Sequence, residues 1–426
     1  MTQKTKKRKE EEPSIREIKI KVMGIGGGGG SIVSEISSDL KKIKFAAANT
    51  DSRALGNLSE KKKIQKFHFG EEITKGLGTG MDPEKGKRAA EEEKDRIKDL
   101  FKGQDIVIFI TSLGGGTGSG AIPVFSKMAK EAGSLTFGIF TLPFKFEGDR
   151  KFSIAKKALS DSSPHLNAVS IMPNENIFNL VDRATPLKEA LSKTNKSLAK
   201  NLEGLIETIY EAGLINIDFA DIRAILEEKK GKGKLAYLSS TEVKSEEDGK
   251  EIVKKAVSDP LYSYGIEGSK GVLFNITGGE KMGLSDVSSI SNQISELTEG
   301  KAKVIFGISQ KRSFKNKLKI SLLATGCQAE YFNEELKGEE KVERVVKEEK
   351  KSPPKPKKKK EKTQKLEIES INPKEEEKVR RNGLEIKRIA KEEEREIIEE
   401  EEKWETPTFL RKALKQNNEG DKKGGR

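Results

Sequence analysis

Residues 113–120 read Leu-Gly-Gly-Gly-Thr-Gly-Ser-Gly and follow the apolar run from Ile106 to Ile110. An unbroken apolar run of that length is the pattern of a parallel strand buried on both faces. The glycines let backbone approach a ligand closely, and the helix expected from about Ala121 to Ala132 offers free N–H groups and a partial positive charge. Thr117 and Ser119 add hydroxyls. The lysine of the G-x-x-x-x-G-K-[ST] pattern is missing, so this is not a Walker phosphate loop.

A second glycine run lies upstream at 24–30 (GIGGGGG), between a strand expected at 18–24 and a helix expected from Ser31 onward. Gly24, Gly26 and Gly29 also satisfy G-x-G-x-x-G, and Asp51 follows the strand expected at 44–49, where a dinucleotide fold places its ribose-binding carboxylate. On this motif alone a nicotinamide- or flavin-dependent oxidoreductase is open. Such an enzyme has no evident use for a second, richer cradle at Gly114 to Gly120. A nucleoside triphosphate held between two glycine loops uses both.

The remaining elements alternate. A charged helix is expected at 83–101, strands at 135–142 and 169–173, and a long helix from Pro186 to Gly213 whose apolar spacing suits packing between two units. Strands follow at 234–240, 271–277, 303–309 and 317–324, with helices at 246–257 and 284–297. Alternation of this kind predicts an α/β protein with a Rossmann-like parallel sheet, joined by a central helix to a smaller four-stranded α/β domain. No internal repeat is visible.

Of the 426 residues, 33% are hydrophobic and 35% charged, and the charge is concentrated at the ends. Segments so rich in Lys, Glu and Pro bury too little apolar surface to offset ordering entropy, so disorder is expected there. The boundaries read as 1–14 N-terminal tail, 15–185 nucleotide-binding domain, 186–215 central helix, 216–327 C-terminal domain, 328–403 linker and 404–426 C-terminal tail. The net charge of +13 comes with basic runs at 6–9 and 357–360 set beside Glu blocks. That is a solvated mixed-charge tail rather than a specific nucleic-acid site. Cys327 is the single cysteine, which excludes an intramolecular disulfide, and His68 and His165 have no partner at zinc-ligand spacing. No metal site is expected, nor a signal core or an apolar run of the roughly 18 residues that span a membrane. These features together suggest a cytoplasmic protein.

GGGTGSG resembles the G-G-G-T-G-[ST]-G signature of the tubulin/FtsZ family. In the same order, GGGGGS (26–31) with AANTD (47–51), ITKGLGTGMDP (73–83), PFKFEG (143–148), MPNENIF (172–178) and NIDFAD (216–221) are similar to FtsZ, the last to its synergy loop. PTFLRK (407–412) is similar to the short FtsZ tail peptide. The likeness covers about residues 15–327 and that tail. It implies a GTPase that polymerises head to tail into cytokinetic filaments at a mid-cell division ring. It implies GTP with Mg2+, phosphates cradled by Gly27, Gly28, Gly29, Gly30, Ser31 and by Gly114, Gly115, Gly116, Thr117, Gly118, Ser119 and Gly120, and Asn49 and Asp51 in the same pocket. Glu147 and Asn174 would meet the ribose and base. Asn216, Asp218 and Asp221 would enter the site of the neighbouring subunit as catalytic residues, although an acidic pair before a helix is also an ordinary N-cap. Pro407, Phe409, Leu410 and Arg411 would dock on a membrane-tethering adaptor, without insertion into the membrane itself.

Two departures stand out. The family commonly has Arg four residues after the glutamate, where this chain has Lys151, which lacks the planar fork of arginine. On the central helix the family's base-stacking aromatic and base-accepting aspartate fall on Leu191 and Lys196, and lysine accepts no hydrogen bond. The alternative these raise is a nucleotide-binding structural polymer with weak hydrolysis or altered base specificity.

Overall fold

The computed structural model describes residues 17–58, 64–227, 234–244 and 249–328. β1 (Ile20–Ile25) leads into α1 (Gly26–Ile36), β2 (Lys44–Asn49) into α2 (Ser52–Gly56), and β3 (Ile64–His68) into α3 (Glu71–Thr74), α4 (Pro83–Glu92) and α5 (Lys94–Asp99). Next come β4 (Ile106–Ser112), α6 (Gly116–Glu131), β5 (Leu135–Leu142), α7 (Asp149–Ser162) and β6 (Ala168–Pro173). After α8 (Leu187–Tyr210) and α9 (Phe219–Leu226), the chain forms β7 (Lys234–Lys244), α10 (Gly249–Val257), β8 (Gly271–Gly278), α11 (Leu284–Leu297), β9 (Lys303–Gln310) and β10 (Lys317–Thr325).

The strands form a sheet in the order β3-β2-β1-β4-β5-β6-β7-β10-β8-β9. From β3 to β6 all pairs are parallel. That half is doubly wound, and its order reverses between β1 and β4, where open α/β sheets take their ligands beyond the carboxyl ends of the strands. β6 and β7 pair over only two positions, Ala168 with Lys234 and Val169 with Leu235. Past that point the Tyr264 hydroxyl enters the gap, accepting from the Ile171 amide at 3.0 Å and donating to the Ala236 carbonyl at 2.8 Å. β10 then runs antiparallel to both β7 and β8.

Alternate residues on each central strand go to opposite faces. Val22, Ile108 and Phe137 meet Ile32 and Ile36 of α1 and Leu198 and Leu202 of α8. Met23, Phe109 and Phe140 meet Phe101 and Phe125 on the other side. Burying each such side chain stabilises the fold by about 1.5–3 kcal/mol relative to leaving it exposed.

The expected elements shift in informative ways. Both glycine-run helices begin inside the glycines, at Gly26 and Gly116, rather than at Ser31 and Ala121. The helix expected across 83–101 is two helices, because Glu93 leaves the helical region (φ −110°, ψ 24°) and its carboxylate accepts from the Gly70 amide at 2.7 Å.

α8 is tied to the C-terminal strands through Glu207, which accepts from Lys311 and Lys319, each at 2.8 Å. Burial pushes this carboxyl up, but the two ammonium groups outweigh burial and hold it below its ordinary value of 4.5. The stabilisation is therefore complete above that value and is lost as pH falls through the depressed folded value. Glu207→Gln is expected to cost about 1 kcal/mol at pH 7, allowing for solvent screening. Denaturant titrations should show the gap from wild type closing on the acid side, and a pH-independent gap would contradict the assignment.

Candidate active site

The site is built where β1 and β4 end. Gly26 turns the chain from β1 into α1 at φ +74°, and a Cβ placed on it would lie 2.9 Å from the Gly118 amide nitrogen. The two loops therefore touch backbone to backbone. Thr111 Oγ1 fastens them by donating to the Ile25 carbonyl at 2.9 Å. Gly114, at φ +102°, donates its amide to Ser119 Oγ at 2.9 Å, which staples the second loop. The first amides of α1 and α6 have no carbonyl one turn back, so they face outward as donors at the positive ends of both helices.

Between these loops lies a cavity of about 290 Å³. Gly27, Gly28, Gly114, Gly115, Gly116, Thr117, Gly118, Glu147, Lys151 and Asn174 line it, all from the predicted set. Thr117 Oγ1 stands 3.3 Å from Thr79 Oγ1, both residues lining the cavity, and 2.7 Å from Oγ1 of Thr50, which is buried behind them. Opposite, Lys151 Nζ contacts Glu147 Oε2 at 2.7 Å. Burial pushes the Glu147 carboxyl up, but Lys151 and the Phe144 amide outweigh burial and hold it below the usual carboxylate value. Asn174 also borders a small adjoining cavity of about 20 Å³, lined by Leu191 and Thr194 of α8 among others.

Other predicted residues stand outside that lining. A Cβ on Gly29 would fall 2.3 Å from the Ile110 carbonyl oxygen, and one on Gly120 would fall 2.0 Å from that of Pro83, so both serve close packing. Gly30 faces Leu58. Ser31 is exposed and donates to the Gly27 carbonyl at 3.0 Å. Asn49 is buried and accepts from the Asp51 amide, while Asp51 caps α2 by accepting from the Arg53 and Ala54 amides. Lys196 is exposed on α8, whereas its neighbour Asn195 turns toward α1. Ile25, Gly26, Thr79, Ser112, Leu113 and Pro143 also line the cavity but were not among the predicted site residues, although Gly26, Leu113 and Pro143 stand inside the motif stretches. Thr79 lay within the quoted 73–83 stretch, so a signal for it existed.

Asn216, Asp218 and Asp221 sit elsewhere in the protomer. Their loop pairs with β9 through Ile215 and Ile308, and Asn216 Oδ1 accepts from the Gly213 amide at 2.6 Å. Asp218 precedes α9 and its amide donates to Asp221 Oδ2 at 3.2 Å, so this pair does cap a helix. Asn216 and Asp218 are exposed, Asp221 is half-buried, and none of them lines the cavity. The Cys327 thiol is buried and pushed up to about 12, which suits packing rather than nucleophilic attack. Among the described residues there is no cluster of three or more metal-ligating side chains and no helix long and apolar enough to cross a membrane. The tail residues Pro407, Phe409, Leu410 and Arg411 lie outside the described residues.

A doubly wound sheet whose two glycine loops converge on one polyphosphate-sized cavity, with no Walker lysine, defines a nucleotide-hydrolysing protein of the tubulin-like class. Residues 19–182 match the Tubulin/FtsZ family GTPase domain and residues 234–328 the FtsZ family C-terminal domain. The chain is 37% identical over 309 residues to the cell division protein FtsZ of Buchnera aphidicola subsp. Baizongia pistaciae, covering 72% of this chain and 78% of that protein. It belongs to the FtsZ family and is a GTPase. Among solved structures it resembles an FtsZ dimer from M. jannaschii, with 32% identity, a TM-score of 0.64, and coverage of 73% of this chain and 89% of that one. The fold is shared by CetZ2 from Haloferax volcanii, a GTPγS-bound protofilament, at 20% identity, a TM-score of 0.62, and coverage of 78% and 100%.

Proposed function

We propose that this GTPase assembles head to tail, each reaction centre being completed by the next protomer, and that the filaments act in cytokinesis at a mid-cell ring in the cytoplasm. The observation that carries this reading is the separation of parts. The cavity holds amides, hydroxyls and the Glu147–Lys151 pair, while the carboxylates of Asp218 and Asp221 are held on another loop outside it. A second copy presenting that loop to the cavity brings water-orienting carboxylates to the terminal phosphate. Such a contact does not close on itself, so it propagates as a filament. The 32% identical relative described as an FtsZ dimer supports self-association. In this reading 15–185 binds nucleotide, 186–215 connects, and 216–327 delivers the loop.

In the binding step, the α1 and α6 amides take the phosphate oxygens, and Asn174 and Glu147 take the ribose side. Mg2+ accompanying the triphosphate fits Thr79 and Thr117, hard oxygen donors at the cavity wall, and when bound it neutralises phosphate charge. Light scattering and phosphate release measured against protein concentration test the proposal. Both should rise together above a critical concentration with GTP, and turnover proportional to protein from the lowest concentration upward would defeat it.

The tail at 404–426 is proposed to bind a protein adaptor that tethers filaments to membrane, since a short apolar pair flanked by charge suits a partner's groove. Deleting these residues should abolish adaptor capture and leave assembly and hydrolysis nearly intact. Loss of hydrolysis in the truncated chain would refute this division of labour.

A further inference from the structure

Gly28, Ser31 and Glu35 follow one another at spacings of three and four on α1 and so share a face. Gly28 lines the phosphate cavity, Ser31 is exposed, and Glu35 is half-buried. On α8, Leu191 and Asn195 share a face by the same rule, with Ser192 beside them. Ser192 Oγ donates to Glu35 Oε1, and Asn195 Nδ2 donates to Glu35 Oε2 at 2.7 Å. A carboxylate is thus held between α1 and α8 by Ser192 and Asn195, and Ser192 directly follows Leu191, which borders the small cavity that shares Asn174 with the phosphate site.

We propose that Glu35 selects the base, accepting hydrogen bonds from N1–H and the 2-amino group of guanine. The proposal rests on the nucleotide reading above and supplies from α1 the acceptor that Lys196 cannot provide on α8. Each carboxylate oxygen has two lone-pair sites. Ser192 and Asn195 occupy one on each oxygen, which leaves a matched pair for the base. Guanine presents two adjacent donors there. Adenine presents the N1 lone pair, which a carboxylate repels. The seven residues from Gly28 to Glu35 span about 10 Å along the helix axis, enough to run from a phosphate to the base edge of an extended nucleotide.

The test compares GTP, inosine triphosphate and ATP binding to the full chain by equilibrium competition, for wild type and Glu35→Gln. Inosine triphosphate keeps N1–H and lacks the 2-amino group. Wild type should prefer GTP over both, and Glu35→Gln should lose roughly 10- to 100-fold in GTP affinity while ATP is not weakened. Circular dichroism and thermal melting check that the variant folds; if it does not, the wild-type preference for GTP over inosine triphosphate decides alone. Equal binding of those two by wild type, or unchanged ratios in the variant, overturns the proposal. Absence of binding by any triphosphate would instead sink the nucleotide reading, and this proposal with it.

Discussion

Asp221→Ala is expected to release phosphate from GTP at least ~100-fold more slowly than wild type, the scale on which loss of a transition-state polar group is felt, while GTP still binds. Binding should survive because the cradle belongs to α1 and α6, and Asp221 lines no part of that cavity. A complication is that Asp221 Oδ2 also accepts from the Asp218 amide. Removing a cap acceptor costs about 1 kcal/mol of stability, so a loosened loop would lower turnover too. Asp221→Asn separates the two effects. It keeps an oxygen to receive the Asp218 amide but cannot carry the charge that polarises water. If the carboxylate acts on the reaction, Asn should be nearly as slow as Ala, with a melting temperature close to wild type. If Asp221 matters only as a cap, Asn should restore turnover. Pelleting with GTP keeps assembly in view, since a variant that fails to polymerise would be slow for a different reason. Unchanged phosphate release by Asp221→Ala at saturating protein would remove this residue from the mechanism.

Much of the architecture was legible because two signals are local. Five consecutive apolar residues from Ile106 to Ile110 can hardly be anything but a strand covered on both faces, and all five are buried. Glycine runs between strands and helices announce a cradle. Helix starts were less legible for the same reason. Glycine is a poor helix former, so reading propensity places Gly26 to Gly30 and Gly116 to Gly120 in loops. The fold instead starts both helices inside them, so that Gly26, Gly27 and Gly28 of one run and Gly116 and Gly118 of the other line the cavity. β3 was missed because Ile64 and Phe67 are its only buried residues, at the sheet edge. α7 was missed because its buried side is mostly small, with Ala155 and Ala158 beside Leu159. Nothing local marks the break at Glu93, whose cause is a hydrogen bond to Gly70 from far along the chain. The same holds for Glu35. Its pairing with Ser192 and Asn195 spans 157 and 160 positions, a distance over which motif spacing carries no information. Conversely, Asn49, Asp51 and Ser119 fell in motif stretches, yet their side chains brace the loops rather than line the cavity.

Gly26→Ala should weaken GTP binding by roughly 100-fold, more than any substitution at a glycine that only lines the cavity. Two costs combine at this position. A residue with a Cβ held at φ +74° is strained by about 1–2 kcal/mol. The added carbon would also sit 2.9 Å from the Gly118 nitrogen and 3.1 Å from its Cα, which are backbone atoms that cannot rotate away. Forcing extra volume into such a contact costs about 1–3 kcal/mol. The strain can be relieved only by moving α1 away from α6, and that separates the two sets of amides that grip the phosphates. Gly27→Ala is the matched comparison, since a Cβ there meets nothing within 4 Å in the protein itself. Its loss should be smaller and come only from crowding the ligand. Equilibrium binding of GTP and of GDP, with thermal melting of the nucleotide-free chains, distinguishes the effects. A Gly26 variant that binds as tightly as the Gly27 variant would mean that contact between the loops is not what holds the cradle in shape.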